Sequence, residues 1–382
     1  MILSDFIEKT IDNRGKNPSK YYESEKYPVI DNVLIKNKIY PNLNEVNRYI
    51  DQETFDSFLR GYVHRGMPLM TLVGNGIGNV TLAPSDDVAI IQNTIGFQVK
   101  ENLDEKYLYY YLLSNNERIR NFDRGSGQPS IRKTDILGME VDFPDIDIQK
   151  IISKFLYLLD LKIEQNENIN KNLEQQAIAL YKANFIDFVP YDGKMPSSWR
   201  QGTVSEIIEI HDSKRIPLSN RERSDLDKIY PYYGATSIMD YVDKYLFDGI
   251  YLLLAEDGTV MDDRGYPILQ YVEGRFWVNN HAHILTGKNG YTVELLYLLF
   301  KLTNVKSIIT GAVQLKISQA NLRNLRVVIP TQADLREFDA IIQPLFSEIR
   351  NLRAENQQLS AIRDSLLPKL MSGEINVANI DL

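Results

Sequence analysis

The chain has 382 residues, 43% of them apolar and none of them cysteine, and its 43 basic against 51 acidic side chains leave a net charge of −8. That length can bury two ordinary cores; the absence of cysteine excludes disulfide frameworks and thiolate metal sites; and net acidity argues against indiscriminate coating of polyanions, because non-specific nucleic-acid affinity comes from phosphate neutralisation. No charged-then-apolar leader opens at Met1 and no unbroken apolar run is long enough to cross a bilayer, so the expectation is a soluble cytoplasmic protein.

The first element is the amphipathic stretch at residues 4–11, which is echoed at 205–210. Short aromatic-rich runs follow at 70–73 and 88–91 and again at 251–254 and 275–278, separated by Gly, Asp and Pro turns, and these read as strands. A helix is expected over residues 105–113 and another over 293–299. After each comes a Gly-x-x-Gln-x-x-Ile segment, Gly-Ser-Gly-Gln-Pro-Ser-Ile at 125–131 and Gly-Ala-Val-Gln-Leu-Lys-Ile at 311–317, closing at Pro144 and Pro330, 186 positions apart. A repeat of half the chain length cannot be a solenoid period, so it marks two globular modules, each followed by its own helix.

Those helices carry heptad spacing. Ile152, Leu156, Leu159, Ile163, Asn166, Asn170, Leu173, Ala177 and Leu180 alternate three and four apart, and the shift of 186 carries them onto Phe338, Ile342, Leu345, Ile349, Leu352, Asn356, Leu359, Arg363 and Leu366. Sustained 3–4 spacing with charged and amide residues between is a coiled-coil pattern, and a seam Asn fixes register at some cost in stability. The seams should pair with each other, and in one chain the second helix must then run antiparallel to the first; a helix-swapped dimer would satisfy the same seams. About 38 residues at 1.5 Å each give roughly 57 Å, against roughly 34–36 Å per turn of B-DNA. The expected fold is α+β (mixed α/β), with an internal repeat and two similar globular modules separated by two long antiparallel helices. Its expected boundaries are a first module at 1–145, helix and linker at 146–190, a second module at 191–331, a second helix at 332–376 and a tail at 377–382.

Basic residues gather near the Gly-rich segment (Arg118, Arg120, Arg124, Arg132, Lys133) and in the N-terminal stretch (Lys9, Arg14, Lys16, Lys20, Lys26). Gly125 and Gly127 permit close backbone approach, while Gln and Arg side chains can make paired hydrogen bonds to a base or phosphate. The candidate DNA contacts in the first copy are therefore Arg124, Ser126, Gln128, Arg132 and Lys133. In the second they are Gln314 and Lys316, with Lys214, Arg215, Tyr232, Tyr233 and Thr236 as a further polar-aromatic group. The copies are not equally basic, since Leu315 and Ser318 stand where the first has Pro129 and Arg132. The loops also diverge: Val-Gly-Asn-Gly-Ile-Gly at 73–78 stands against Ala-Glu-Asp-Gly-Thr at 255–259, and residues 92–97 against Asn-Asn-His-Ala-His-Ile at 279–284. Matching scaffolds with different loops fit an asymmetric, two-part target.

Enzymatic alternatives carry less. The 73–78 loop is followed by a β-like run ending at Pro84, not by a helix N-terminus aimed at phosphate, so a tight turn is the better reading. No Asn/Asp-Pro-Pro-Tyr/Phe tetrapeptide is present to clamp a flipped base. His281 and His283 lack further ligands at zinc spacing, with only His64 and His211 elsewhere, so a hydrogen-bonded structural role is expected and no metal. Asp145 and Asp147 suit the first turn of the following helix, where carboxylates complement the dipole.

Taken in order, Tyr-Pro-Tyr-Tyr-Gly-Ala-Thr-Ser at 230–237, the Phe-Asp-Gly-Ile-Tyr-Leu-Leu-Leu-Ala-Glu-Asp-Gly run at 247–258, Arg-Phe-Trp-Val-Asn-Asn-His-Ala-His at 275–283, the two Gly-x-x-Gln segments and the closing Ser-Leu-Leu-Pro-Lys-Leu-Met-Ser-Gly-Glu-Ile at 365–375 resemble the specificity subunit of type I restriction-modification systems. The resemblance covers nearly the whole chain. It implies two target-recognition domains that each read half of a split double-stranded DNA sequence, with the helices setting the spacing and docking two modification (methyltransferase) subunits. The docking and seam positions would be Leu156, Leu159, Ile163, Asn166, Asn170, Leu173, Ile342, Leu345, Ile349, Leu352, Asn356 and Leu359. A restriction subunit would complete the nuclease. This chain would be non-catalytic and hold no cofactor, with S-adenosylmethionine in the methyltransferase and ATP and Mg in the restriction partner. The competing expectations are a coiled-coil assembly adaptor whose duplicated domains bind proteins or peptides, and an enzyme whose site is unrecognised.

Overall fold

The computed structural model describes residues 1–15, 18–125, 127–311 and 313–377. They form two compact units, one of residues 1–166 with 354–382 and one of residues 167–353. Two 40-residue helices, Ile146–Phe185 and Gln332–Met371, each contribute one segment to either unit.

The first unit opens with a 3-10 turn, Leu3–Phe6, that leads into β1 (Ile7–Ile11). With β2 (Pro68–Thr71), β3 (Val80–Leu82) and β4 (Thr94–Val99) it builds an antiparallel sheet in the order β1-β4-β2-β3. The helix Glu105–Ser114 packs on this sheet, and its start is set by Asp104, whose carboxylate accepts from the Tyr107 amide. Tyr107 to Leu112 are all buried, so this helix is apolar around its whole circumference and lies within the core. The run 88–91 expected as a strand is buried throughout but makes only a single bridge, Val29 to Ala89. A continuous apolar run records burial on every side and carries no strand period of its own.

The second unit repeats the opening, with a 3-10 turn Val204–Glu206 leading into β5 (Ile208–Ile210). The sheet is larger: β6 (Tyr230–Tyr233), β7 (Ile238–Val242), β8 (Phe247–Ala255), β9 (Leu269–Val278) and β10 (Ala282–Gly287) join β5 in the order β7-β6-β9-β8-β10-β5. All neighbours are antiparallel except β9 and β6. The helix Val293–Lys301, capped by Thr292, is buried from Val293 to Phe300 and is the counterpart of Glu105–Ser114.

In each unit the long-helix segments pair antiparallel. Ile152 and Leu156 share a core with Leu367 and Leu370 in the first unit, and the Arg363 guanidinium lies 2.6 Å from Asp160, whose other oxygen accepts from Tyr110 at 2.7 Å. Asn166 donates to Asn356 at 2.8 Å and to Glu355 at 2.7 Å, and Asn356 donates to the Ile163 carbonyl, so the polar seam position holds one register. Leu159, Ile163 and Leu359 are half-buried. In the second unit Ala177, Tyr181 and Phe185 pack with Phe338, Ile342, Phe346 and Ile349, flanked by Leu173 and Leu345. Leu352 is buried and Asn170 half-buried. Leu180, expected on the seam, is exposed; Tyr181 takes its place because steps of four from Ala177 to Tyr181 to Phe185 keep one helix face, and its ring meets Phe338 edge-on. Among the described residues no helix is long and apolar enough to cross a membrane.

Candidate nucleic-acid interface

The described residues of the two Gly-x-x-Gln segments make similar contacts, with a positive φ at Gly311 and none at Gly125. A Cβ on Gly125 would stand 1.9 Å from the Gln128 carbonyl oxygen, and one on Gly311 would stand 2.0 Å from that of Gln314, so the carbonyl folded back over the turn leaves room only for glycine. Each turn docks on the loop that follows a central strand. In the first unit Gly74 N–H donates to Pro129 and Ile131 N–H to Leu72; in the second Gly258 N–H donates to Leu315 and Ile317 N–H to Glu256. The divergent loops at 73–78 and 255–259 thus hold equivalent places, and positive φ at Gly74 and Gly258 serves both. The 73–78 loop leads into β3 and not into a helix, which leaves no helix N-terminus for a phosphate.

Gln128 and Gln314 are both exposed. Around the first turn the cations differ in how far they are committed. Arg124 pairs with Asp135 at 3.0 Å, and half-buried Lys133 lies 3.6 Å from Asp12, which Arg14 also holds at 2.7 Å. Arg118 and Arg120 donate to the protein itself, Arg118 to the Glu140 carbonyl and Arg120 to Ile77 and Asn79. Arg132 is exposed, and its guanidinium makes no ion pair or hydrogen bond among the described residues. Ser126 and Lys16 lie outside the described residues.

Around the second turn Lys316 is exposed and reaches Glu256 at 3.2 Å, and Lys214 is exposed. Arg215 is inside. Its guanidinium bonds Glu256 at 2.6 Å and the Asn280 and Ala282 carbonyls, and lies 3.3 Å from Asp212, so its donors are spent under the turn. Tyr232 is also inside, 1% exposed, with its hydroxyl accepting from the Leu218 amide and its ring beneath Arg223. Both side chains therefore support the surface that surrounds them. Tyr233 and Thr236 lie on the β6–β7 hairpin: Thr236 is exposed at its tip, and half-buried Tyr233 meets Phe276 edge-on.

Sequence reasoning missed Asp123 and the Asp212 cluster. Asp123 accepts from the amides of Gly125 and Ser130, and those two bonds hold its carboxyl below the usual range. An Asp two residues before a turn glycine is the available signal. No such residue precedes the second turn, where the pairs Ile309–Ile317 and Thr310–Lys316 close a short ladder instead. Asp212, Glu256 and His283 converge closely enough to suggest a cation site. Their ligand atoms are already used: His283 lies 2.6 Å from Asp212 through Nδ1 and 2.7 Å from the Ile317 carbonyl through Nε2, while Arg215 and Lys316 neutralise Glu256. The donor set does not fit a metal, which needs unengaged lone pairs. His281, half-exposed, pairs with Asp257 at 2.6 Å.

A two-module fold that displays a glycine turn twice, on loops of different chemistry, defines a duplicated recognition protein. The family described as "Type I restriction modification DNA specificity domain" matches residues 1–175 and 196–361, and the chain belongs to it. It is 26% identical over 338 residues to the type I restriction enzyme MjaIX specificity subunit of Methanocaldococcus jannaschii, covering 78% of this chain and 77% of that one. It is 20% identical to the HindI specificity subunit of Haemophilus influenzae across 98% of this chain and 100% of that one. The S subunit of a type I restriction-modification system from M. genitalium superposes with a TM-score of 0.60 at 18% identity, over 97% of this chain and 95% of that one, and has the same fold.

Proposed function

We propose that this chain, a type I specificity subunit by family, reads a bipartite and asymmetric double-stranded DNA target, one part with each globular module. The modules would be residues 1–145 and 191–331, with 146–190 and 332–376 as spacers that set the gap and dock two modification subunits. The observation that carries this is the repeated turn: Gln128 and Gln314 stand exposed in equivalent places above loops whose side chains differ. An exposed amide can pair with adenine N6 and N7 in the major groove, and uncommitted cations such as Arg132 and Lys214 can take phosphates. Arg124, Lys133 and Lys316 can join only by trading their carboxylate partners for phosphate. Ser126, Tyr233 and Thr236 complete the set, and Arg215 and Tyr232 act beneath it.

The chain makes and breaks no bond in this scheme. Methyl transfer belongs to the modification subunits, which hold S-adenosylmethionine, and cleavage to a restriction subunit that uses ATP and Mg, all within the cytoplasm. With a net charge of −8 the chain alone binds DNA weakly, and the methyltransferase subunits complete the positive clamp. Mapping methylated positions in DNA from cells with and without this chain tests the scheme. A split motif that vanishes on deletion supports it; an unchanged methylation pattern refutes it and favours the assembly-adaptor alternative. Filter binding with and without the modification subunits tests the clamp, and equal affinities would remove it.

A further inference from the structure

The second turn is anchored by a buried ionic relay that the first lacks. Asp212, next to β5, accepts from the Ile284 amide at 3.0 Å through one oxygen and from Gln319 at 2.6 Å through the other. That second oxygen also lies 2.6 Å from Nδ1 of His283, whose Nε2 donates to the Ile317 carbonyl at 2.7 Å. His283 is 0% exposed and Asp212 7%. Burial pushes the Asp212 carboxyl up, but His283, the Ile284 amide and Arg215 outweigh it and hold the group below its usual range. The relay therefore runs from a carboxylate in the core, through a ring with no room to turn aside, to the backbone of the reading turn three residues beyond Gln314.

At the strand position of the first unit that corresponds to His283 stands Ile95, paired with Met70 as His283 is with Leu254. Ile95 is fully buried in the apolar core of its unit, so the place is filled by apolar packing. The first turn is held instead from outside, by Asp123. The residue that opens the helix after each turn also differs: Lys133 reaches toward Asp12, and Gln319 toward Asp212.

We propose that Asp212 and His283 are positioning residues for the second turn, so that recognition of one part of the target depends on this relay and recognition of the other does not. The inference rests on the function proposed above. A buried polar chain with every member satisfied rigidifies what it touches, whereas a half-satisfied one loosens it. Loosening the 311–317 backbone moves Gln314 and relaxes the bases it reads, without touching the first turn.

Methylation mapping in cells that carry variants of the full chain tests this, with Gln128→Ala marking the half-site read by the first unit. His283→Phe keeps a ring but loses both bonds. It is expected to raise methylation at sites that violate the other half-site by about ten-fold, the size of discrimination carried by one base pair. Two amides separate positioning from packing. His283→Gln can still donate to Ile317 from the Nε2 position and should keep most of the specificity; His283→Asn can reach only Asp212 and should behave like His283→Phe. Unchanged specificity in His283→Phe, equal relaxation of both halves, or equal behaviour of the two amides overturns the assignment. If His283→Phe does not accumulate, Gln319→Ala carries the test, since it removes one bond to Asp212 at an exposed position. Faster amide exchange at 316–317 with relaxation confined to the same half-site supports the relay, and no change in either overturns it. Loss of the whole motif on deletion of the chain, with these variants silent, leaves the general function standing and removes only the relay.

Discussion

Asp160 and Arg363 offer a direct test of what holds the first unit's helical segments together. The Asp160 side chain is 6% exposed and accepts from Tyr110 at 2.7 Å and from Arg363 at 2.6 Å. Removing the guanidinium by Arg363→Ala leaves a buried carboxylate with one neutral partner. Breaking a buried pair from one side costs about 3–5 kcal/mol, and because Arg363 is 21% exposed, water entering the vacated space lowers this to about 2–3 kcal/mol. The repeat supplies a second, sharper variant. A shift of 186 carries Asp160 onto Phe346 and Arg363 onto Ala177, so the second unit fills the same layer with apolar groups exposed by 2% and 0%. The triple variant Asp160→Phe, Tyr110→Phe, Arg363→Ala brings in the Phe and Ala of that layer, removes the hydroxyl left without its acceptor, and should return to within about 1 kcal/mol of the parent, because replacing a buried pair with packed apolar groups is often neutral. In urea, with a slope of about 2 kcal/mol per molar, Arg363→Ala should lower the midpoint by about 1 M and the triple variant should restore it. If Arg363→Ala is silent, or the triple variant is as unstable as the single one, the pair is not what stabilises this layer.

Gly125→Ala and Gly311→Ala should each disrupt one turn, since the new Cβ would meet a carbonyl oxygen at 1.9 and 2.0 Å; methylation mapping should show one half-site relaxed while the melting temperature, set by the cores, moves by only a few degrees. The Arg14 hydrogen bond and charge hold Asp12 at about 2, below its unfolded value near 3.8, so this tie contributes in full above about pH 4 and fades as pH falls through 2. An NMR carboxyl titration should place the Asp12 midpoint near 2, and Arg14→Ala should return it toward 4. Inserting four residues beside Asn170 adds about 6 Å of helix and shifts the seam, which should change the tolerated gap between half-sites or abolish assembly; persistence of both would count against helices as spacers.

The heptad spacing made the long helices legible because a seam residue recurs at a period that only a helix satisfies, and the repeated glycine turn was legible because it occurs twice at one shift. Legibility failed where neighbours decided the outcome. Arg215 and Tyr232 read as surface donors by residue type, yet the fold gives Arg215 the Asp212 and Glu256 carboxylates and closes Tyr232 over the Leu218 backbone. The buried run 88–91 carried no period from which to tell strand from irregular chain, and the seam change from Leu180 to Tyr181 depends on which helix face meets Phe338.

By itself the sequence determined the number of modules, the helical spacers, the antiparallel sense of their pairing and the place of the glycine turns, since each follows from periodicity or from a repeat along the chain. Tertiary structure alone decided which cations are free among the described residues, that His283 holds the second turn, and that one seam layer is ionic in the first unit and apolar in the second. Those outcomes rest on contacts between residues dozens to hundreds of positions apart, where burial and hydrogen-bond partners depend on the folded surroundings and not on local residue type.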